Sequence, residues 1–139
     1  MSYKIVGKYI KDLKFSIPNP KVFFLLSSSI KNYKVNIEIK SNQVEQNILE
    51  VLTCLSLTPS SDVTEKIEAK IILSTLIEIS EKKLEKDELE KIILISVPSE
   101  IYGELRALFV NLFENSGFKD IKISDQIDFK KLYDDRKVQ

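Results

Sequence analysis

Hydrophobic and polar positions divide this chain into stretches of period two followed by one long stretch of helical period. The clearest alternation sets Tyr33, Val35, Ile37 and Ile39 against Lys34, Asn36, Glu38 and Lys40, a strand with one face on a core and one in water. Ser41-Asn42-Gln43 suits a tight connection, so a hairpin with residues 44–58 is predicted. In that second arm Leu49, Val51, Leu55 and Leu57 share one face, with Ile48, Leu52 and Cys54 on the other. A strand apolar on both faces is central, or covered on each side. Pro59-Ser60-Ser61-Asp62 forms a turn. Residues 63–79 alternate again, with Val63, Ile67, Ala69, Ile71, Leu73, Ile77 and Ile79 opposed to Thr64, Lys66, Glu68, Lys70, Ser74 and Glu78. Residues 3–15 alternate loosely and supply a fourth strand. Short turns demand antiparallel pairing, because parallel strands need long crossovers.

The rest of the chain is punctuated by proline and glycine. Pro18 and Pro20 predict a loop or edge ahead of the apolar run Val22-Phe23-Phe24-Leu25-Leu26, which ends in Ser27-Ser28-Ser29. Residues 80–90 are charged and are expected to be a solvated, mobile connection. Pro98 suits the first turn of a helix running to about Asn115, with Gly117 where a left-handed residue is wanted. Ile101, Leu105, Leu108 and Leu112 form one stripe of that helix, and Tyr102, Phe109 and Phe113 widen it. An extended linker from Phe118 to Ile123 leads to a short last helix that Asp125 can cap, and residues 134–139 are expected to fray. The fold class predicted is α+β. One domain, 1–139, holds a four-stranded antiparallel meander with a long and a short C-terminal helix on one face.

Composition narrows the chemistry. The chain has 139 residues, 21 basic and 21 acidic side chains, and no histidine. A net charge of zero gives no global field toward nucleic acid or an anionic membrane. Without histidine the commonest general base and metal ligand are missing, and the three glycines are scattered rather than gathered in a phosphate loop. No catalytic set, metal site or cofactor is predicted. Cys54 is the single cysteine and is expected to be a buried, inert thiol in a reducing compartment. No apolar run approaches the roughly 20 residues that span a bilayer, and no signal peptide is visible, so a cytoplasmic protein is expected.

What remains is apolar surface. More of it is encoded than one sheet and one helix face use, which points to a subunit interface, a groove for a guest, or both. Ile101, Leu105, Leu108 and Leu112 are candidates for the oligomer interface. Tyr102, Phe109, Phe113, Phe118, Ile121, Ile123 and Phe129 are candidates to line a groove between sheet, linker and last helix, or to support its walls. An adaptor for one fixed folded partner, or a small-ligand protein, would use the same apolar face.

Four motifs, in order over residues 8–133, resemble the SecB family of export chaperones. They are Tyr9-Ile10-Lys11-Asp12-Leu13-Lys14-Phe15 before Pro18-Asn19-Pro20, the hairpin at 33–58, Val97-Pro98-Ser99-Glu100-Ile101-Tyr102-Gly103-Glu104-Leu105-Arg106, and Gly117-Phe118 leading to Ile127-Asp128-Phe129-Lys130-Lys131-Leu132-Tyr133. The resemblance implies a homotetramer made of two dimers. It implies an ATP-independent holdase that keeps unfolded polypeptides and preproteins translocation-competent, with the SecA motor as a partner. The chain departs from the family pattern at Val97 and Gly103, where the family has cysteine and a second proline. It is also neutral where export-linked members are acidic, which argues against SecA docking. Some SecB-like proteins serve a toxin–antitoxin pair, the alternative role for this chain.

Overall fold

The computed structural model describes residues 3–29, 33–59, 67–80, 84–118 and 121–138. Four strands form one antiparallel sheet: β1 (Tyr3–Ser16), β2 (Tyr33–Glu45), β3 (Ile48–Pro59) and β4 (Glu68–Ile79). Their spatial order is β1-β4-β3-β2, so β2, β3 and β4 are a meander and β1 returns to pair with β4. Both β1 and β2 are edges of the sheet.

The core lies on one face. Val51, Leu55 and Leu57 of β3 and Ala69, Ile71, Leu73 and Ile77 of β4 are buried there, all odd-numbered as period two requires. Between them Thr53 and Thr75 are fully buried, with hydroxyls that find no partner among the described residues. β1 reaches the same face only because it skips. Its pairing with β4 shifts between Ile5 and Gly7 and between Ile10 and Asp12, leaving Val6 and Lys11 as bulges. Directly paired residues share a face, so Ile5, Ile10, Leu13 and Phe15 join Ile77, Leu73, Ile71 and Ala69, whereas Tyr9 joins Ser74 on the opposite face.

The helical layer departs from the sequence expectation at both ends. The predicted loop after Pro18 is helix α1 (Pro20–Ser29). Proline is excluded from helix interiors, not from the first turn, and the Asn19 side chain caps this one by accepting from the Val22 N–H at 2.9 Å. The charged connection contributes a helix: α2 (Lys86–Lys91) runs through a π-helical turn, Ile92–Ser96, into α3 (Val97–Glu114). Val97 N–H donates to Ile92 O, the five-residue step that defines such a turn. Residues 81–83, Ser60, Ser61 and Asp62 of the expected turn, and Val63, Thr64 and Lys66 of the third alternating stretch lie outside the described residues.

α3 ends as expected. Gly117 takes φ 94°, and Phe118 N–H donates to Phe113 O at 2.9 Å while Gly117 N–H donates to Glu114 O at 3.3 Å, a Schellman closure. The last helix, α4 (Phe129–Val138), is capped by Asp128, whose Oδ1 accepts from Lys131 N–H at 3.0 Å. Asp125, the expected cap, pairs with Arg106 instead. The hairpin turn falls at Gln46-Asn47, later than Ser41-Asn42-Gln43, because β2 continues as a polar edge strand to Glu45.

Candidate functional site

An open groove runs between the free edge of β2, the π-helical turn and α4. Two adjoining cavities, of about 590 and 470 Å³, share Ile39, Lys40, Leu94, Tyr133 and Arg136 and so form one trough. Ile37 and Ile39 come from the alternation of β2, which turns them to the helical side, half-buried against the core. Ile93 and Leu94 come from the π turn, which adds Ile93 to the floor. Leu132 stands on α4 about half exposed, and Tyr133 is buried beside it, its hydroxyl donating to Glu90 Oε2 at 3.3 Å. The Ile37–Asn42 stretch of β2 is about 20 Å long at roughly 3.3 Å per residue. Its outer edge pairs with no strand among the described residues. An apolar floor beside an open strand edge takes an extended polypeptide, which gains backbone bonds from the edge and side-chain burial from the floor.

α4 is placed by the residues before it. Tyr102 Oη donates to Ser124 O at 2.7 Å, Arg106 Nε donates to Ile123 O at 3.0 Å, and the Tyr102 ring meets Phe129 edge-on at 6.0 Å. Burial raises the Tyr102 pKa above its usual value, so this hydroxyl stays a donor.

The residues singled out from the sequence occupy the layer beneath. Tyr102, Phe109, Phe113, Phe118, Ile123 and Phe129 are buried, and Ile121 is half-buried. Their rings touch in series: Phe109 with Phe113 at 5.3 Å, and Phe113 with Phe118 at 6.2 Å. Phe129 borders the trough, and the others stand behind it; the apolar surfaces beside Phe129 and Tyr133 are Ile37, Ile39, Leu94 and Leu132. Period two marked Ile37 and Ile39, but nothing local says which strand becomes an edge, and so the strand half of the groove was missed. Of the interface candidates, Ile101 and Leu105 are fully buried against this chain's own sheet and have no surface left for a second copy. Leu108 and Leu112 are half-buried on the flank of α3.

The opposite face of the sheet carries a different cluster. Glu50, 9% exposed, accepts from Tyr9 Oη and Ser74 Oγ, each at 2.7 Å. These bonds, Ser74 first, hold its carboxyl below the usual range. Lys11 stands 3.9 Å from its other oxygen. Cys54, on the same face, is half-buried, and burial pushes its thiol pKa up, so it is a poor nucleophile.

The sequence matches the family described as preprotein translocase subunit SecB over residues 1–139. The chain belongs to the SecB family. A relative from Pelagibacter ubique (strain HTCC1062), named putative protein-export protein SecB, is 37% identical over 135 residues, covering 97% of this chain and 96% of the relative. Protein-export protein SecB of Anaplasma marginale (strain Florida) is 27% identical over 143 residues, covering 94% of this chain and 79% of that one. Among solved structures, a Mycobacterium tuberculosis SecB-like chaperone, in complex with a ChAD peptide from an antitoxin, superposes with a TM-score of 0.66 at 11% identity, over 91% of this chain and 88% of that one. At that identity the likeness speaks for the SecB fold alone.

Proposed function

We propose that this chain is an ATP-independent holdase of protein export that captures unfolded segments in the groove between β2, the π turn and α4. The observation that carries the reading is the open edge of β2 beside the apolar floor of Ile39 and Leu94, a site for any extended chain rather than for one folded shape. Each large apolar side chain fully buried there contributes about 1.5–3 kcal/mol. Holding the unfolded form opposes folding by mass action and needs no nucleotide.

Several copies working together would add avidity, and we expect a tetramer made of two dimers, resident in the cytoplasm. The surface left for assembly is the outward side of α3, where Leu108 and Leu112 flank the exposed Gly103 and Ala107, together with Ile10 and Leu13 of β1, which are 45% and 43% exposed. On the sheet face away from the helices, Lys4, Lys11, Lys14, Lys34, Lys40 and Lys70 offset Asp12, Glu38, Glu50, Glu68 and Glu78. An acidic dock for SecA finds no support there, and weak binding to the motor's zinc-bearing tail is expected. The relatives are named for export, and nothing specific to this chain favours the toxin–antitoxin role.

The test is suppression of aggregation. Without nucleotide, the protein should keep several unrelated unfolded proteins soluble at stoichiometric ratios. Binding to one partner with no effect on the others would replace this reading with an adaptor.

A further inference from the structure

The linker between α3 and α4 is held in an unusual way. Residues 121–126 make no backbone–backbone hydrogen bond among the described residues. Carbonyls packed beside an interior need donors. Two consecutive ones find them on α3, where Tyr102 Oη serves Ser124 O at 2.7 Å and Arg106 Nε serves Ile123 O at 3.0 Å. Four residues apart, Tyr102 and Arg106 share one stripe of the helix. Arg106 also reaches Asp125 Oδ1 at 3.0 Å, but the Asp125 side chain is 88% exposed and that pair adds little. Downstream, α4 gives the buried interior only Phe129 and Tyr133 among its described side chains. Its position therefore depends on two rings, on the Tyr133–Glu90 hydrogen bond and on how the linker is fixed. Leu132, Tyr133 and Arg136 of α4 form the wall of the groove that faces β2.

We propose that Tyr102 and Arg106 are positioning residues for client capture: by fixing the carbonyls of Ser124 and Ile123 they set where α4 stands, and with it the width of the groove. The inference rests on that groove being the client site. A wall already in place need not be ordered by the client. A wall free to swing is competent only part of the time, and apparent affinity falls by the competent fraction.

Two variants isolate the latch. Tyr102→Phe keeps the ring against Phe129 and removes only the hydroxyl. Arg106→Met keeps the stem and removes the donors. Amide hydrogen exchange would be followed over residues 121–138 and over β3 and β4. The dissociation constant would be measured for fluorescein-labelled, reduced and carboxamidomethylated α-lactalbumin, a permanently unfolded probe. Each variant should speed exchange at 121–138 and weaken probe binding, both on the order of fivefold, as loss of one net hydrogen bond implies. β3 and β4 should exchange as before, which reports an intact fold. Unchanged exchange at 121–138 overturns the latch. Faster exchange with probe affinity unchanged shows that the latch does not govern the groove, and overturns this inference alone. Failure of the unaltered protein to bind the probe removes the client reading and this inference with it.

Discussion

Leu132→Ala tests the groove at the residue where fold and function separate most cleanly. Leu132 is 49% exposed on α4, across the trough from Ile37 and Ile39. Full burial of a leucine contributes about 1.5–3 kcal/mol, so the half still in water offers a client roughly 0.7–1.5 kcal/mol. Alanine forfeits most of that. At about 1.4 kcal/mol per tenfold, a short apolar peptide occupying one groove should bind roughly three- to twelvefold more weakly. A long unfolded chain that spans several grooves should lose more, because the deficits multiply. Fluorescence anisotropy with a labelled peptide and with a long unfolded chain measures both. The fold should barely notice, since alanine is the better helix former and little core is lost. A urea midpoint within error of the unaltered protein, together with a peptide dissociation constant changed by less than about twofold, would refute the assignment of this trough as the binding site.

Other consequences are equally open to measurement. A Cβ at Gly103 meets nothing within 4 Å, so Gly103→Leu should leave the urea midpoint unchanged or raise it while reducing the mass seen by light scattering; a tetramer that survives places the contact elsewhere. The folded Glu50 carboxyl titrates below its unfolded value because Ser74 and Tyr9 donate to it. Its stabilisation is therefore present above about pH 4.3 and lost as pH falls through the folded pKa. Glu50→Gln should flatten that acid limb of the stability profile, and an unchanged limb contradicts the assignment. Tyr3, pushed up to about 12 by burial and by its bond to Glu100, contributes below about pH 10 and loses that contribution as pH rises toward 12; Tyr3→Phe should make the alkaline decline shallower, leaving the part that Tyr102 supplies. Asn19→Ala should cost about 1 kcal/mol in urea unfolding through the lost cap of α1, and no loss would show that the cap is idle.

The strands were legible wherever one face meets a core and the other meets water, as at Tyr33–Lys40 and Ala69–Ile79. β1 was less so. Its bulges at Val6 and Lys11 move Tyr9 to one face and Leu13 to the other, and no periodicity survives two skipped residues. α1 was hidden by two prolines whose effect depends on position: Pro20 opens a helix that Asn19 caps. The stripe on α3 was visible, but its phase was not. Leu108 and Leu112 carry the same hydrophobic signal as Phe109 and Phe113, and only the sheet beneath decides which pair is swallowed. The site suffered most for the same reason. Aromatic residues drew attention as groove lining, yet burial is the default fate of a large ring; of those named, Phe129 borders the trough, beside Tyr133 and the aliphatics of an edge strand, the π turn and a short polar helix.

The wide turn at Ile92–Ser96 has a consequence of its own. It holds an extra residue in an otherwise regular rod, and one residue is worth about 100° of rotation. Shortening the chain by one position there would leave the rod unbroken but swing Glu90 away from the Tyr133 hydroxyl and present different side chains to the strand edge. Chain length at this single point thus acts as a dial on which side chains line the trough.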